Sequence, residues 1–160
     1  MKNMKNLAIL CAVLCLAAIT AAACGGDGDG KSNAPAKPKT ILRKSVPAEF
    51  KGKKAPDGFD MTAKANIEAG DKLFHGEALC KTCHGEGGKG DGDAGKALDP
   101  KPTDLTSAEF QTGVEDDYIH WRIKTGNVGG PAGSGMTGFT AGTEEQIWQL
   151  LSYVRSLKGK

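Results

Sequence analysis

Cys80 and Cys83 are separated by two residues and His84 follows directly, in the run Cys80-Lys81-Thr82-Cys83-His84. Two thiols within one helical turn can each add to a vinyl group of a single porphyrin, and the adjacent imidazole then reaches the iron. The spacing C-x-x-C-H therefore reads as covalent haem attachment. Three other uses compete. A structural zinc site needs about four ligands and usually a second cysteine pair, whereas outside the N-terminal apolar run only Cys24, Cys80 and Cys83 are present. A thioredoxin-like redox pair calls for a strand leading into a helix, and none is visible around residue 80. A chance match of a short motif is the third, and the export signal described next argues against it.

Residues 7–23 (LAILCAVLCLAAITAAA) carry no charge and are preceded by Lys2 and Lys5. A basic start, an apolar stretch and small residues at its end are the layout of a secretory signal peptide, here residues 1–23. As an uncleaved membrane helix the run is short, at the lower edge of the roughly 17 to 25 residues needed to span. Ala21-Ala22-Ala23-Cys24 suits an ordinary signal peptidase and is also similar to a bacterial lipobox, with Ala21 where leucine is usual. The polar run GGDGDGKSNAPAKPK then resembles a flexible spacer that holds a domain off a membrane. Cys24 is accordingly the candidate for lipidation. Either route delivers the domain to the periplasmic side of a bacterial membrane, lipid-anchored or otherwise soluble in the periplasm.

Residues 24–45 are rich in Gly, Pro, Lys and Ala and show almost no apolar periodicity, so they bury too little surface to offset the entropy of ordering. They read as a tether to a domain over residues 46–160. Beyond Ala23 the chain carries 19 basic and 19 acidic residues, which excludes a strongly basic nucleic-acid binder. The neutrality conceals a division. Residues 31–54 hold eight basic residues against Glu49 alone, and residues 55–160 hold 11 basic against 16 acidic. The basic stretch could rest on anionic head groups or serve as a solvated spacer, and Val46, Pro47 and Phe50 suggest that its last part touches the domain.

The domain reads as all-α. Asn66 is placed to cap a first helix in which Ile67, Gly70, Leu73 and Phe74 recur at helical spacing as far as Leu79. Thr106-Ser107-Ala108-Glu109 and Thr143-Glu144-Glu145-Gln146 both fit the capping box, which satisfies otherwise unpaired backbone amides. After the second box, Ile147, Leu150, Leu151, Val154 and Leu157 form one apolar face, and Gly159 lies where a helix stop belongs. Glu115 to Lys124 reads as a shorter helix ending at Gly126, with Asp116 and Asp117 in its first turn. No strand and no repeat is evident. With 23 glycines and 6% aromatic residues, such a domain has a thin core; a buried porphyrin would supply the missing apolar centre.

An iron bound by one histidine takes a second ligand or keeps an open position. The candidates are Met61, Met136, His75 and His120. Met61 lies in polar sequence before the first helix, and His75 is only nine residues from His84. Met136 stands in the loop GPAGSGMTGF just before the last helix, where a loop can fold over the far haem face and present a thioether. Its neighbours are glycines and small polar residues, unlike those of a core methionine. His120 is the runner-up, more in keeping with a surface or haem-edge side chain.

These features, in this order, resemble the class I c-type cytochromes, especially small bacterial monohaem domains, over about residues 46–158. Gly70 and Phe74 match the glycine and aromatic of the family's first helix, which cross the last helix near Tyr153. CKTCHGEGGKGDGDAGKAL matches the haem motif and the loop after it. Leu98-Asp99-Pro100-Lys101-Pro102-Thr103-Asp104-Leu105 is similar to the segment in which a proline supports the proximal histidine, which puts Pro100, Pro102 and Leu105 in the haem environment, with the carbonyl of Pro100 or Pro102 accepting the His84 ring N–H. Tyr118 to Gly126 is similar to the family's middle helix, where Trp121 or Arg122 could hydrogen-bond a propionate or simply pack. Met136-Thr137-Gly138-Phe139 departs from the common Met-Pro-x-Phe and loses a fixed φ angle.

The resemblance implies a class I cytochrome c fold of three to four helices around one covalently bound haem c, with His84 and Met136 as axial ligands and no vacant site for substrate. The expected function is one-electron transfer without catalysis, in weak contact with a quinol-oxidising complex, a terminal oxidase or reductase, or a periplasmic dehydrogenase. Two alternatives stand beside it. One is a haem c subunit of a larger membrane respiratory complex; the other is a peroxidase-like enzyme or small-gas binder, which requires that Met136 does not ligate. Nucleotide binding by the glycines of residues 85–95, an EF-hand at Asp91 and Asp93, and acid/base work by Glu115, Asp116 and Asp117 each lack the surrounding pattern they need.

Overall fold

Two helices distant in sequence carry the core of this computed structural model, which describes residues 46–127 and 135–160. The signal peptide, Cys24, the tether and most of the glycine-rich run before Met136 lie outside the described residues. α1 (Lys64–His75) and α5 (Glu144–Ser156) pack against each other most extensively. Between them come α2 (Lys81–His84), a 3-10 turn (Gly95–Ala97), α3 (Ala108–Gly113) and α4 (Asp116–Thr125). The described residues thus hold five α-helices rather than three to four, because the haem motif itself forms a single helical turn and α3 is a separate short piece. Among them the one β feature is an isolated bridge between Gly126 and Thr137. No helix among the described residues is long and apolar enough to cross a membrane.

α5 forms as its sequence predicts. The Thr143 hydroxyl accepts from the Gln146 amide at 3.2 Å while the Gln146 side chain accepts from the Thr143 amide at 2.8 Å, so both halves of the capping box are made. Its buried face, Ile147, Trp148, Leu150, Leu151 and Val154, meets Phe74 of α1 and Ile119 and Ile123 of α4 in one cluster. Leu157 completes the face past the helix end.

The other helix ends shift for local reasons. α1 begins two residues before Asn66, with Ala63 as its cap residue, and the Asn66 side-chain amide instead donates to the Asp60 carbonyl at 2.8 Å. It stops at His75 rather than Leu79, because Gly76 leaves helical geometry and Leu79 has φ 53°. At α3 the cap is Ser107, not Thr106. Asp104 captures both the amide and the hydroxyl of Thr106, at 2.8 and 2.7 Å, which holds Thr106 outside the helix; Ser107 Oγ then accepts from the Phe110 amide. α4 runs within a residue of its expected span and ends at Gly126, φ 69°.

Residues 46–55 lie across the domain as a strap. The Phe50 ring stands 5.9 Å from that of His120, the Gly52 amide donates to Asp117 at 2.8 Å, and Lys53 pairs with Glu144 at 3.1 Å. His120 is therefore not at the surface. It is fully buried between the strap and α5, with Nε2 2.8 Å from Glu144 Oε1 and its ring 4.9 Å from that of Trp148. Met61 likewise packs against the core cluster despite its polar neighbours in sequence. Both are claimed by tertiary packing.

Candidate haem site

α2 is the motif. Leaving the α1 turn, the chain makes one helical turn in which the His84 amide donates to the Cys80 carbonyl at 2.9 Å, and Gly85, at φ 80°, ends it. Cys80 and Cys83 are free thiols, both half-buried. Burial pushes the Cys80 thiol up to about 11, so it is held protonated at neutral pH rather than as a reactive thiolate.

The loop after the motif returns onto it. The amides of Gly90, Gly92 and Ala94 donate to the carbonyls of His84, Cys83 and Thr82 at 2.8, 3.2 and 3.0 Å, an antiparallel wrap of the loop around the turn. Glycine is required by the closeness of that approach. A Cβ at Gly92 would sit 2.5 Å from the Thr82 oxygen, and one at Gly95 would strike the Cys83 carbonyl and lie 2.7 Å from the Pro102 ring.

His84 Nδ1 lies 3.3 Å from the Thr103 carbonyl. A carbonyl only accepts, so this contact puts the proton on Nδ1 and leaves the Nε2 lone pair for a metal. Burial moves the imidazole below the ordinary histidine range, which keeps it neutral and competent as a ligand. The partner carbonyl belongs to Thr103 and to neither proline. Pro100 is exposed, while the Pro102 ring props Gly95, and through it the loop that wraps Cys83. Leu105 is buried in the core, its amide donating to Gly88 at 2.8 Å.

Met136 is half-buried and mounted by its backbone. Its carbonyl accepts from the Asn127 amide at 3.0 Å, and the Phe139 amide donates to the Ile123 carbonyl at 2.7 Å, so the segment is stitched to the end of α4. A Cβ at the neighbouring Gly135 would lie 2.8 Å from Leu98, at which point the segment carrying Met136 meets the segment that follows the haem-motif loop. Trp121 and Arg122 are both buried. Arg122 stacks on the Trp121 ring at 4.1 Å and spends Nε on the Tyr118 hydroxyl and one terminal nitrogen on the Gly126 carbonyl, at 3.1 and 3.0 Å.

These residues fit a covalent haem: two cysteines on one turn that are not joined to each other and an adjacent imidazole whose outer nitrogen is tied down. The main-chain role of Thr103 and the carboxylate partners of His75, weighed in the sequence only as an axial ligand, escaped sequence reasoning. Thr103 acts through its main chain, which no side-chain pattern reveals. His75 and Glu86 pair across the motif, with His75 Nε2 3.2 Å from Glu86 Oε2 and Nδ1 2.8 Å from Asp71 Oδ1. The i,i+4 spacing of Asp71 and His75 was the available signal for the Asp71 contact, and nothing in the sequence marked Glu86.

Comparison with known proteins agrees with this geometry. No curated protein matches the chain. Among solved structures it is similar to a chain of the reducing HAO-like protein complex Kustc0457/Kustc0458 of Kuenenia stuttgartiensis, at 27% identity and a TM-score of 0.51, covering 68% of this chain and 53% of that one. The present chain thus spans about half the length of that relative. Residues 67–158, from α1 to the end of the core past α5, match the family described as cytochrome c. With the haem motif on α2 and the α1–α5 crossing inside that match, the chain belongs to the cytochrome c family.

Proposed function

We propose that the protein is an exported one-electron carrier with one haem c, joined through Cys80 and Cys83 and ligated by His84 and Met136. The observation that carries the reading is the α2 turn, with both thiols free and His84 tied through Nδ1 to Thr103. Held by Cys80, Cys83 and His84, haem c would supply one-electron chemistry, and ligation by Met136 would raise its potential. The chain's own residues anchor the porphyrin, orient the imidazole and shelter the site through the wrapped loop. Export rests on the apolar run of residues 7–23, and membrane anchoring on Cys24 ahead of its glycine-rich tether. Partners are redox proteins met through a small, transient contact, drawn from quinol-oxidising complexes, terminal oxidases or reductases, and periplasmic dehydrogenases.

Spectroscopy of the purified holoprotein tests this. A weak long-wavelength methionine-to-iron band in the ferric form and no carbon monoxide binding in the ferrous form are expected; an absent band with ready carbon monoxide binding would assign an open-site enzyme or gas binder instead. A second reading, a subunit docked in a larger complex, is favoured by the relative, which is a chain of a HAO-like complex. Mild detergent extraction followed by size analysis separates the two. A carrier travels alone, and a subunit travels with its complex.

A further inference from the structure

We infer that His75 is a proton-binding site linked to the oxidation state of the haem iron, so that reduction of the protein draws a proton onto the His75 ring. The inference rests on the haem reading above and adds a titrating group to it. Three observations carry it. His75 is wedged between two carboxylates, Asp71 on its own helix at 2.8 Å and Glu86 on the haem loop at 3.2 Å, and its ring nitrogens also reach the main-chain carbonyls of the same two residues at 3.0 and 3.1 Å. Every one of these oxygens is an acceptor, and only the imidazolium has a donor at both nitrogens to satisfy both sides. Second, the site is next to the motif. Glu86 is two residues past His84, and the Phe74 ring lies 5.2 Å from the ring of His75 and 6.5 Å from that of His84. Third, the side chain retains 27% of its exposure, so a proton can come from solvent.

The groups facing His75 are few. Asp71 stands on α1, Glu86 on the loop, and Tyr153 on α5 with its ring 5.8 Å away; Lys81 of α2 lies 3.0 Å from Glu86 and offsets part of its charge. The hydrogen bonds to Asp71 and Glu86 outweigh the burial of the ring, so His75 titrates above the ordinary histidine range.

The step balances simply. With haem held by Cys80, Cys83 and His84, an electron from a one-electron donor would lower the charge of the site by one, and water would supply a fraction of a proton to His75 in partial compensation, the fraction being set by the displacement of its titration; oxidation would return both. A charge on iron and one on His75 repel through an interior that screens less than water, so the imidazolium is favoured in the reduced protein. By reciprocity, protonated His75 favours the reduced iron. The sign follows: His75 titrates at higher pH in the ferrous than in the ferric form, and the reduction potential falls as pH rises between those two points.

The test uses the full holoprotein. Ring-proton resonances of His75 are followed by NMR across pH in both oxidation states, and the potential is measured over the same range for the wild type and His75→Asn. The expected results are a His75 titration displaced upward by a few tenths of a pH unit on reduction, and a fall in potential across that window that the variant lacks. A His75 titration identical in both states, or a pH dependence that persists in His75→Asn, overturns the inference while leaving the carrier reading intact. Failure of haem to attach to the wild-type chain overturns both.

Discussion

Gly70 on α1 and Gln149 on α5 approach so closely that a Cβ at position 70 would collide with the Gln149 carbonyl oxygen and lie 2.8 Å from the Cβ of Tyr153. The helix crossing is set by that bare α-carbon, and the Phe74 ring, one turn on, fills the space against Tyr153 at 5.1 Å. Because the obstacle is backbone, no side-chain rotation relieves it. Gly70→Ala should destabilise the protein by at least about 2 kcal/mol, the upper part of the range for overpacked cores. Denaturant unfolding of the holoprotein at neutral pH measures this, and a loss below about 0.5 kcal/mol would show that the helices can part freely.

Arg155 gathers the α3–α4 corner to α5. Nε donates to Asp116 at 2.7 Å, and the two terminal nitrogens donate to the carbonyls of Gln111 and Val114 at 2.9 and 2.6 Å. Removing the guanidinium strands two main-chain acceptors and a carboxylate. Arg155→Ala should cost about 2 to 3 kcal/mol, and Arg155→Lys should recover less than half, because a point charge cannot serve three acceptors in a plane. Equal stabilities for the lysine variant and the wild type would dismiss the fork geometry.

His120 makes stability depend on pH. Burial holds it below the ordinary value of 6.5, against the opposing pull of Glu144 and with some help from Lys53 and Lys124. The unfolded chain therefore binds the proton first as pH falls. The contribution of neutral His120 is fully present above the unfolded value and declines as pH drops through 6.5 toward the depressed folded value. Unfolding midpoints taken between pH 7.5 and 5 should fall in the wild type, and the fall should be shallower in His120→Gln.

The two thiols are expected to be redundant for retention but not for geometry. Cys80→Ser and Cys83→Ser should each keep haem attached through one thioether, and the double variant should lose it under denaturing conditions. Intact-mass measurement after denaturation reads the bound haem directly. Met136→His should keep the haem and lower its potential by a sizeable part of the roughly 0.8 V that axial ligands command; an unchanged potential would remove Met136 from the iron.

Elements set by local chemistry were legible in the sequence. The Thr143–Gln146 box, the apolar face of α5 and the Gly126 stop of α4 formed where they were expected; the crossing of Gly70 and Phe74 with the last helix formed as the family resemblance implied. What escaped depends on partners remote in sequence. The Asx-type turn of Asp104 moved the α3 cap by one residue, and the strap of residues 46–55 turned His120 into a core residue. At the site, Cys80, Cys83 and His84 were carried by spacing alone. The carbonyl that meets His84 belongs to Thr103 because the chain past Pro102 delivers that peptide group to the ring, and a carbonyl leaves no mark in a sequence.

The mounting of Met136 has an evolutionary consequence. Its segment is stitched to α4 through the amide of Asn127, the Gly126–Thr137 bridge and the Ile123 carbonyl, so the chain path at that position is specified by main-chain groups. The side chain at 136 is consequently an interchangeable fitting on a permanent bracket. Under the proposed ligation by Met136, a single codon change there would exchange one donor atom for another and retune the driving force of electron transfer, while the backbone bracket would need no second mutation.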